Sequence, residues 1–100
     1  MKLVWTESAV LDLEKVKDFI SRDSEYYALA LVEKIFEAVE KLTTFPNIGR
    51  EVPEYQDKTI REILCSNYRI IYRVRSNEAV ILAIIHGARE INDKKPWELS

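Results

Sequence analysis

The sequence predicts an α+β fold in the order β-α-α-β-β-β, a mainly antiparallel sheet packed on a helical hairpin. Three observations predict it. Two stretches in the first half repeat apolar residues at helical spacing, the period falls to two after residue 58, and the last three β-prone runs are separated by gaps of hairpin length. A helical layer on one sheet is the arrangement that buries both apolar patterns. At 100 residues and 47% hydrophobic content the chain can bury one core but not two, so one domain over 1–100 is expected.

The elements follow in order. Lys2 to Trp5 is a short β-prone run ending at Thr6, a candidate helix cap, with Glu7 in the first turn where the helix dipole favours negative charge. Ala9, Leu13, Val16 and Ile20 then recur at four, three and four residues, one buried helical face running to about Arg22. Asp23 and Ser24 offer a second cap, and Ala28, Leu31, Val32, Ile35, Val39 and Leu42 repeat the pattern until Pro46 forbids its continuation. The short connection between the two helices predicts an antiparallel hairpin. Pro46-Asn47-Ile48-Gly49 reads as a turn, and Arg50 to Lys58, with Pro53 and few core-type residues, as an exposed loop. Thr59 to Cys65, Tyr68 to Arg75 and Ala79 to His86 read as a three-strand antiparallel meander, the last so apolar that it suits an inner strand covered on both faces. The polar residues after Glu90 read as a short helix or tail.

Composition excludes several classes. The longest uninterrupted apolar stretch, Ala79 to Ile85, is far short of the ~20 residues that cross a bilayer, and the N-terminus lacks the apolar core of a signal peptide, so a cytoplasmic protein without membrane association is expected. One cysteine and one histidine provide neither an internal disulfide nor a structural zinc set, so no metal and no cofactor are expected. A net charge of −2 argues against duplex DNA held by overall charge. Six of the seven arginines, however, lie in residues 46–100, and arginine is the residue suited to bidentate contact with phosphate or carboxylate.

Alternation through Tyr68 to Arg75 puts Ile70, Tyr72 and Val74 on one side and Arg69, Ile71, Arg73 and Arg75 on the other. With helices on the first side, the second is expected to be open and arginine-rich. Like charges at period two repel, so such a face is either a solvated surface or a site for an anionic partner, RNA phosphate or an acidic protein segment. His86 ends the last strand, followed by Gly87-Ala88-Arg89, and is either structural or a general acid/base assisted by Arg89. Gly49-Arg50-Glu51 reads as a loop bringing an arginine to the sheet edge. There is no glycine-rich phosphate loop and no Ser/His/Asp set suggested by spacing.

A helical hairpin ending in Leu42-x-x-Phe45-Pro46-x-x-Gly49-Arg50, then Arg61-Glu62, then Tyr68-Arg69-Ile70-Ile71-Tyr72-Arg73, then His86-Gly87-Ala88-Arg89 resembles the RelE/ParE superfamily of type II toxin–antitoxin toxins over nearly the whole chain. The resemblance implies a cognate antitoxin that wraps and neutralises the toxin, and two candidate targets. RelE-type members cut messenger RNA in the ribosome with basic residues, and often a C-terminal tyrosine, on the open sheet face. Arg69 and Arg89 stand at two of those basic positions, with His86 as a further catalytic candidate for such an endoribonuclease. Ile60 and Glu62 stand where two lysines are expected, however, and no tyrosine follows Arg89. Other relatives cleave RNA with histidine and glutamate, which brings in His86 with Glu51 or Glu62. ParE-type members lack the RelE set and inhibit DNA gyrase, and the Pro-x-x-Gly-Arg turn and His-Gly-Ala-Arg ending resemble them more. The ParE-like expectation is a non-enzymatic gyrase inhibitor contacting its target through Arg50, Arg61, Arg69, Arg73 and Arg89. Growth arrest and plasmid stabilisation would follow from it. Tyr26, Tyr27, Leu29 and Phe36, spread around the second helix, offer apolar surface for the antitoxin in a hetero-oligomer, or for a homodimer.

Overall fold

Both helices begin where a hydroxyl can take up a free backbone N–H. In the computed structural model, which describes residues 1–87 and Trp97, strand β1 (Lys2–Trp5) runs into helix α1 (Glu7–Ser21) through Thr6. The Thr6 hydroxyl accepts from the Ala9 N–H at 3.1 Å and donates to the Ile81 carbonyl at 2.7 Å, so one side chain caps the helix and ties it to the sheet. Ser24 likewise accepts from the Tyr27 N–H at 3.2 Å and opens helix α2 (Glu25–Glu40), which tightens into a 3-10 turn over Lys41–Thr43 before Pro46.

The strands that follow are β2 (Arg50–Glu51), β3 (Ile60–Cys65), β4 (Tyr68–Arg75) and β5 (Glu78–His86), assembled in the order β1-β5-β4-β3-β2. The β3-β4-β5 meander is antiparallel as predicted, and β1 adds to β5 in parallel, Lys2 opposite Glu78. Ser76 and Asn77 both take left-handed backbone angles, φ 48° and 61°, the requirement of a two-residue hairpin turn of type I′. Pairing jumps from Ile71↔Ala83 to Tyr72↔Ile81, so Leu82 is an extra residue in β5. Leu82 and Ala83 therefore point to the same face, and the strand buries side chains on both sides.

Two apolar clusters sandwich the sheet. Under the helices lie Ala9, Val16, Ile35, Val39 and Leu42 against Ile70, Tyr72, Ala79, Ile81 and Ile84, with Leu13, Ile20 and Leu31 packed at the margin, much as the helical periodicity requires. On the outer face, Val52, Tyr55 and Trp97 cover Ile60, Ile71, Leu82, Ala83 and Ile85. Two expectations are corrected here. The segment after Arg50 is not wholly an exposed loop, since Arg50–Glu51 pairs with β3 and Val52 and Tyr55 are buried. Nor is the outer face open. A chain of Pro, Glu and Gln carries its only two large apolar residues three apart, a spacing that a turn brings to one side, and the Tyr55 N–H to Val52 carbonyl bond at 3.1 Å closes that turn.

Gly49 sets the approach of β2. Its N–H donates to the buried Tyr72 hydroxyl at 3.0 Å, which donates in turn to the Pro46 carbonyl at 2.8 Å. A Cβ at Gly49 would stand 2.5 Å from the Glu62 carbonyl oxygen and 2.7 Å from the Tyr72 hydroxyl, so only glycine fits. Burial pushes the Tyr72 phenol up from its ordinary value, which keeps it a neutral donor. Tyr72→Phe leaves a buried N–H and a carbonyl without that partner and is expected to cost about 1–3 kcal/mol in urea unfolding.

Candidate functional site

A carboxylate on an otherwise apolar strand face has to find cations, and Glu62 finds two. In β3, Glu62 shares the outer face with Ile60 and Leu64, and its side chain is fully buried. One oxygen, Oε1, accepts from Arg69 Nε at 2.7 Å and also from Arg69 Nη2. The other, Oε2, accepts from Arg50 Nε and Nη2, both at 2.7 Å. Arg69 turns its outer edge to Glu54, Nη1 to Oε2 at 2.9 Å and Nη2 to Oε1 at 2.8 Å. The result is a chain Arg50–Glu62–Arg69–Glu54 of alternating sign and zero net charge. The hydrogen bonds from Arg69 hold the Glu54 carboxyl below its ordinary value, and those to Glu54, then Glu62, push the Arg69 guanidinium up against the opposing effect of burial.

The predicted residues separate once placed on the sheet. Arg50, Arg69 and Arg73 share the outer face, but only Arg50 has a largely exposed side chain. Arg69 is 7% exposed, and Arg73 stands 3.9 Å from Asp57. The arginine-rich face is thus not an open cationic surface, because alternation fixes which side a residue takes but not what covers it. Arg61 lies on the helix side opposite Tyr72 and donates to the Gly49 carbonyl at 2.7 Å. His86 also lies on the helix side, paired with Tyr68, their rings edge to face at 5.3 Å, in a depression with Asp12, Lys15 and Phe19. Strand alternation assigns Arg69 and His86 to opposite faces, yet both line one hollow beside the β3–β4 turn, whereas Glu51 lies on the far edge strand, apart from His86. Arg89 lies outside the described residues, as do the expected helix or tail after Glu90, Trp97 apart. Among the described residues, no group of three or more His, Cys, Asp or Glu is placed to hold a metal ion.

Sequence reasoning missed Glu54 as a site residue and did not join Glu62 to Arg69. The available signal was Glu62 itself, at period two between Ile60 and Leu64, where a charge facing inward demands a partner. On the helical hairpin the four predicted apolar residues are at the surface: Tyr26, Tyr27, Leu29 and Phe36 are each at least half exposed. Tyr26 packs edge-on to Tyr27 at 5.4 Å and Phe36 edge-on to Trp5 at 5.7 Å, and Phe19 of α1 extends the exposed apolar surface of the hairpin. No helix among the described residues is long and apolar enough to cross a membrane.

Two outcomes follow from the ion network. Arg69→Ala leaves Glu62 buried with one cation fewer and is expected to destabilise by about 3–5 kcal/mol in denaturant unfolding. The contribution of Glu54 is fully present above the ordinary carboxyl value of 4.5 and is lost as pH falls through the lowered folded value. The stability gap between wild type and Glu54→Gln, followed by urea midpoints from pH 7 downward, is therefore expected to narrow below pH 4.5.

A family described as the ParE toxin of the type II toxin–antitoxin system parDE matches residues 3–91. A protein named Toxin RelE2 from Caulobacter vibrioides is 30% identical over 89 residues, 88% of this chain and 97% of its own. A solved structure described as the chromosomal ParDE system from P. aeruginosa superposes with a TM-score of 0.72 at 28% identity, over 86% of this chain and 95% of that one.

Proposed function

The chain belongs to the ParE toxin family and is a toxin of a type II toxin–antitoxin system, with a cognate antitoxin as partner; on that premise we propose that it acts without catalysis, as an inhibitor of DNA gyrase. The observation that carries this reading is the occupation of Arg69. Its donors are spent on Glu54 and Glu62, whereas a cation that stabilises a developing charge needs its donors directed at the reacting group. His86 lines the same hollow as Arg69, but its ring packs on Tyr68. Arrested growth, and with it stabilisation of a plasmid bearing the pair, follows from blocked supercoiling.

The likeness to a relative named Toxin RelE2 favours a second reading, ribosome-dependent cleavage of messenger RNA. Supercoiling by purified gyrase with and without the protein, run beside a translation reaction scored for messenger cleavage, separates the two. Inhibited supercoiling with intact messenger is expected; cleaved messenger with active gyrase reverses the choice. His86→Gln is expected to keep full toxicity on induction without antitoxin, and loss of toxicity in a folded variant would move His86 into the mechanism. For the antitoxin, Tyr26, Tyr27, Leu29 and Phe36 supply the apolar surface, and Phe36→Ala with Tyr26→Ala is expected to weaken antitoxin binding at least about tenfold. Unchanged affinity would remove that surface from the interface.

A further inference from the structure

Arg69 is fixed from beneath and occupied from above, and the two contacts differ in kind. Glu62 is rigid: its side chain is fully buried in β3 and held a second time by Arg50. Glu54 sits at the tip of the Val52–Tyr55 turn, with Pro53 before it, and its side chain is 30% exposed. The flanking Val52 and Tyr55 are the buried anchors of that turn. Rotating the Glu54 side chain outward therefore requires no lifting of the segment, because the anchors stay where they are. What it uncovers is a planar pair of N–H donors, Nη1 and Nη2, facing a hollow of about 460 Å³ whose lining includes Arg50, Pro53, Leu64, Tyr68 and His86.

We propose that the outer edge of Arg69 is a carboxylate-binding fork, filled in the free chain by Glu54 and open to exchange with an aspartate or glutamate side chain of a partner protein. The fork already holds a carboxylate in the two-point geometry that suits a planar anion. Replacing one carboxylate by another leaves the four-member chain at zero charge, so the exchange strands no buried ion. A nucleic-acid strand lacks that advantage, because its neighbouring phosphates would meet the displaced Glu54. Pro53 and Leu64, the latter 65% exposed, give the incoming residue apolar walls for its stem. Glu54 thereby acts as an internal competitor that lowers affinity for every other carboxylate. The fork stands apart from the identity of the toxin's target.

The test follows the Arg69 Nε–Hε resonance by NMR in wild type, Glu54→Ala and Glu54→Gln while N-acetylglutamate α-amide is added, with pentauridylate as a second probe. A side chain tethered beside its receptor competes at an effective concentration on the order of mM, so Glu54→Ala is expected to bind the glutamate derivative at least about tenfold more tightly than wild type. Glu54→Gln keeps the size of the side chain and one acceptor, and is expected to fall between the two. Equal affinity in wild type and a folded Glu54 variant, or no saturable shift in either variant, overturns the proposal. So does tighter binding of pentauridylate than of the carboxylate. Loss of folding in both variants also overturns it, since the carboxylate is then a fixed part of the structure and not an exchangeable occupant.

Discussion

A negative charge buried in the middle of a sheet face organises this molecule's outer side. An isolated carboxylate removed from water is too costly to persist, so Glu62 requires cations at fixed positions on both of its oxygens. One comes from the neighbouring strand, Arg69, and the other from β2, Arg50. The second requirement gives a two-residue strand a reason to exist, because the Arg50↔Glu62 pair fixes β2 to β3 by charge as well as by backbone. The same requirement explains why the chain enters β2 through a glycine. Arg50 reaches Glu62 only if the backbone before it runs close over the Glu62 carbonyl and the Tyr72 ring, where a Cβ has no room. A polar network satisfied at every member specifies one arrangement, which a looser apolar packing of a short segment would not.

The two faces of the sheet divide the work. The helix side is built from side chains that the helical and strand periods place there in advance, and it carries the hairpin whose outer surface is apolar and exposed. The outer side is covered by Val52 and Tyr55 from the middle of the chain and by Trp97, and it carries the ion network. The apolar surface proposed for the antitoxin thus lies across the thickness of one sheet from the ion network.

The helical hairpin and the meander were legible from the sequence because their signals are local. A period of 3.6 with Thr6 and Ser24 at the caps, and a period of two with Ser76-Asn77 at a turn, depend on residues close together in the chain. The parallel pairing of β1 with β5 was not legible, since nothing in Lys2 to Trp5 names a partner far along the sequence. The Arg69 environment failed for a related reason. Alternation assigned Arg69 to the correct face, but Glu54 lies fifteen residues away in a segment with no period, and a single pair of buried residues there was too sparse to read as cover. His86 shows a subtler limit. The extra residue at Leu82 shifts the register before it, so counting alternation from the start of β5 puts His86 on the wrong face.

The pairing of β1 with β5 also orders events in time. Residues 2–5 are made well before their hydrogen-bonding partners, residues 78–81, and the Thr6 hydroxyl waits for the carbonyl of Ile81. Closing so long a loop is entropically expensive and comes after the local hairpins. A nascent chain holding only the helical hairpin has an unpartnered first strand and no sheet to pack against. The fold is therefore completed only once β5 has been made, and a product truncated before it, however faithfully it forms its two helices, lacks the strand that joins β1 to β4.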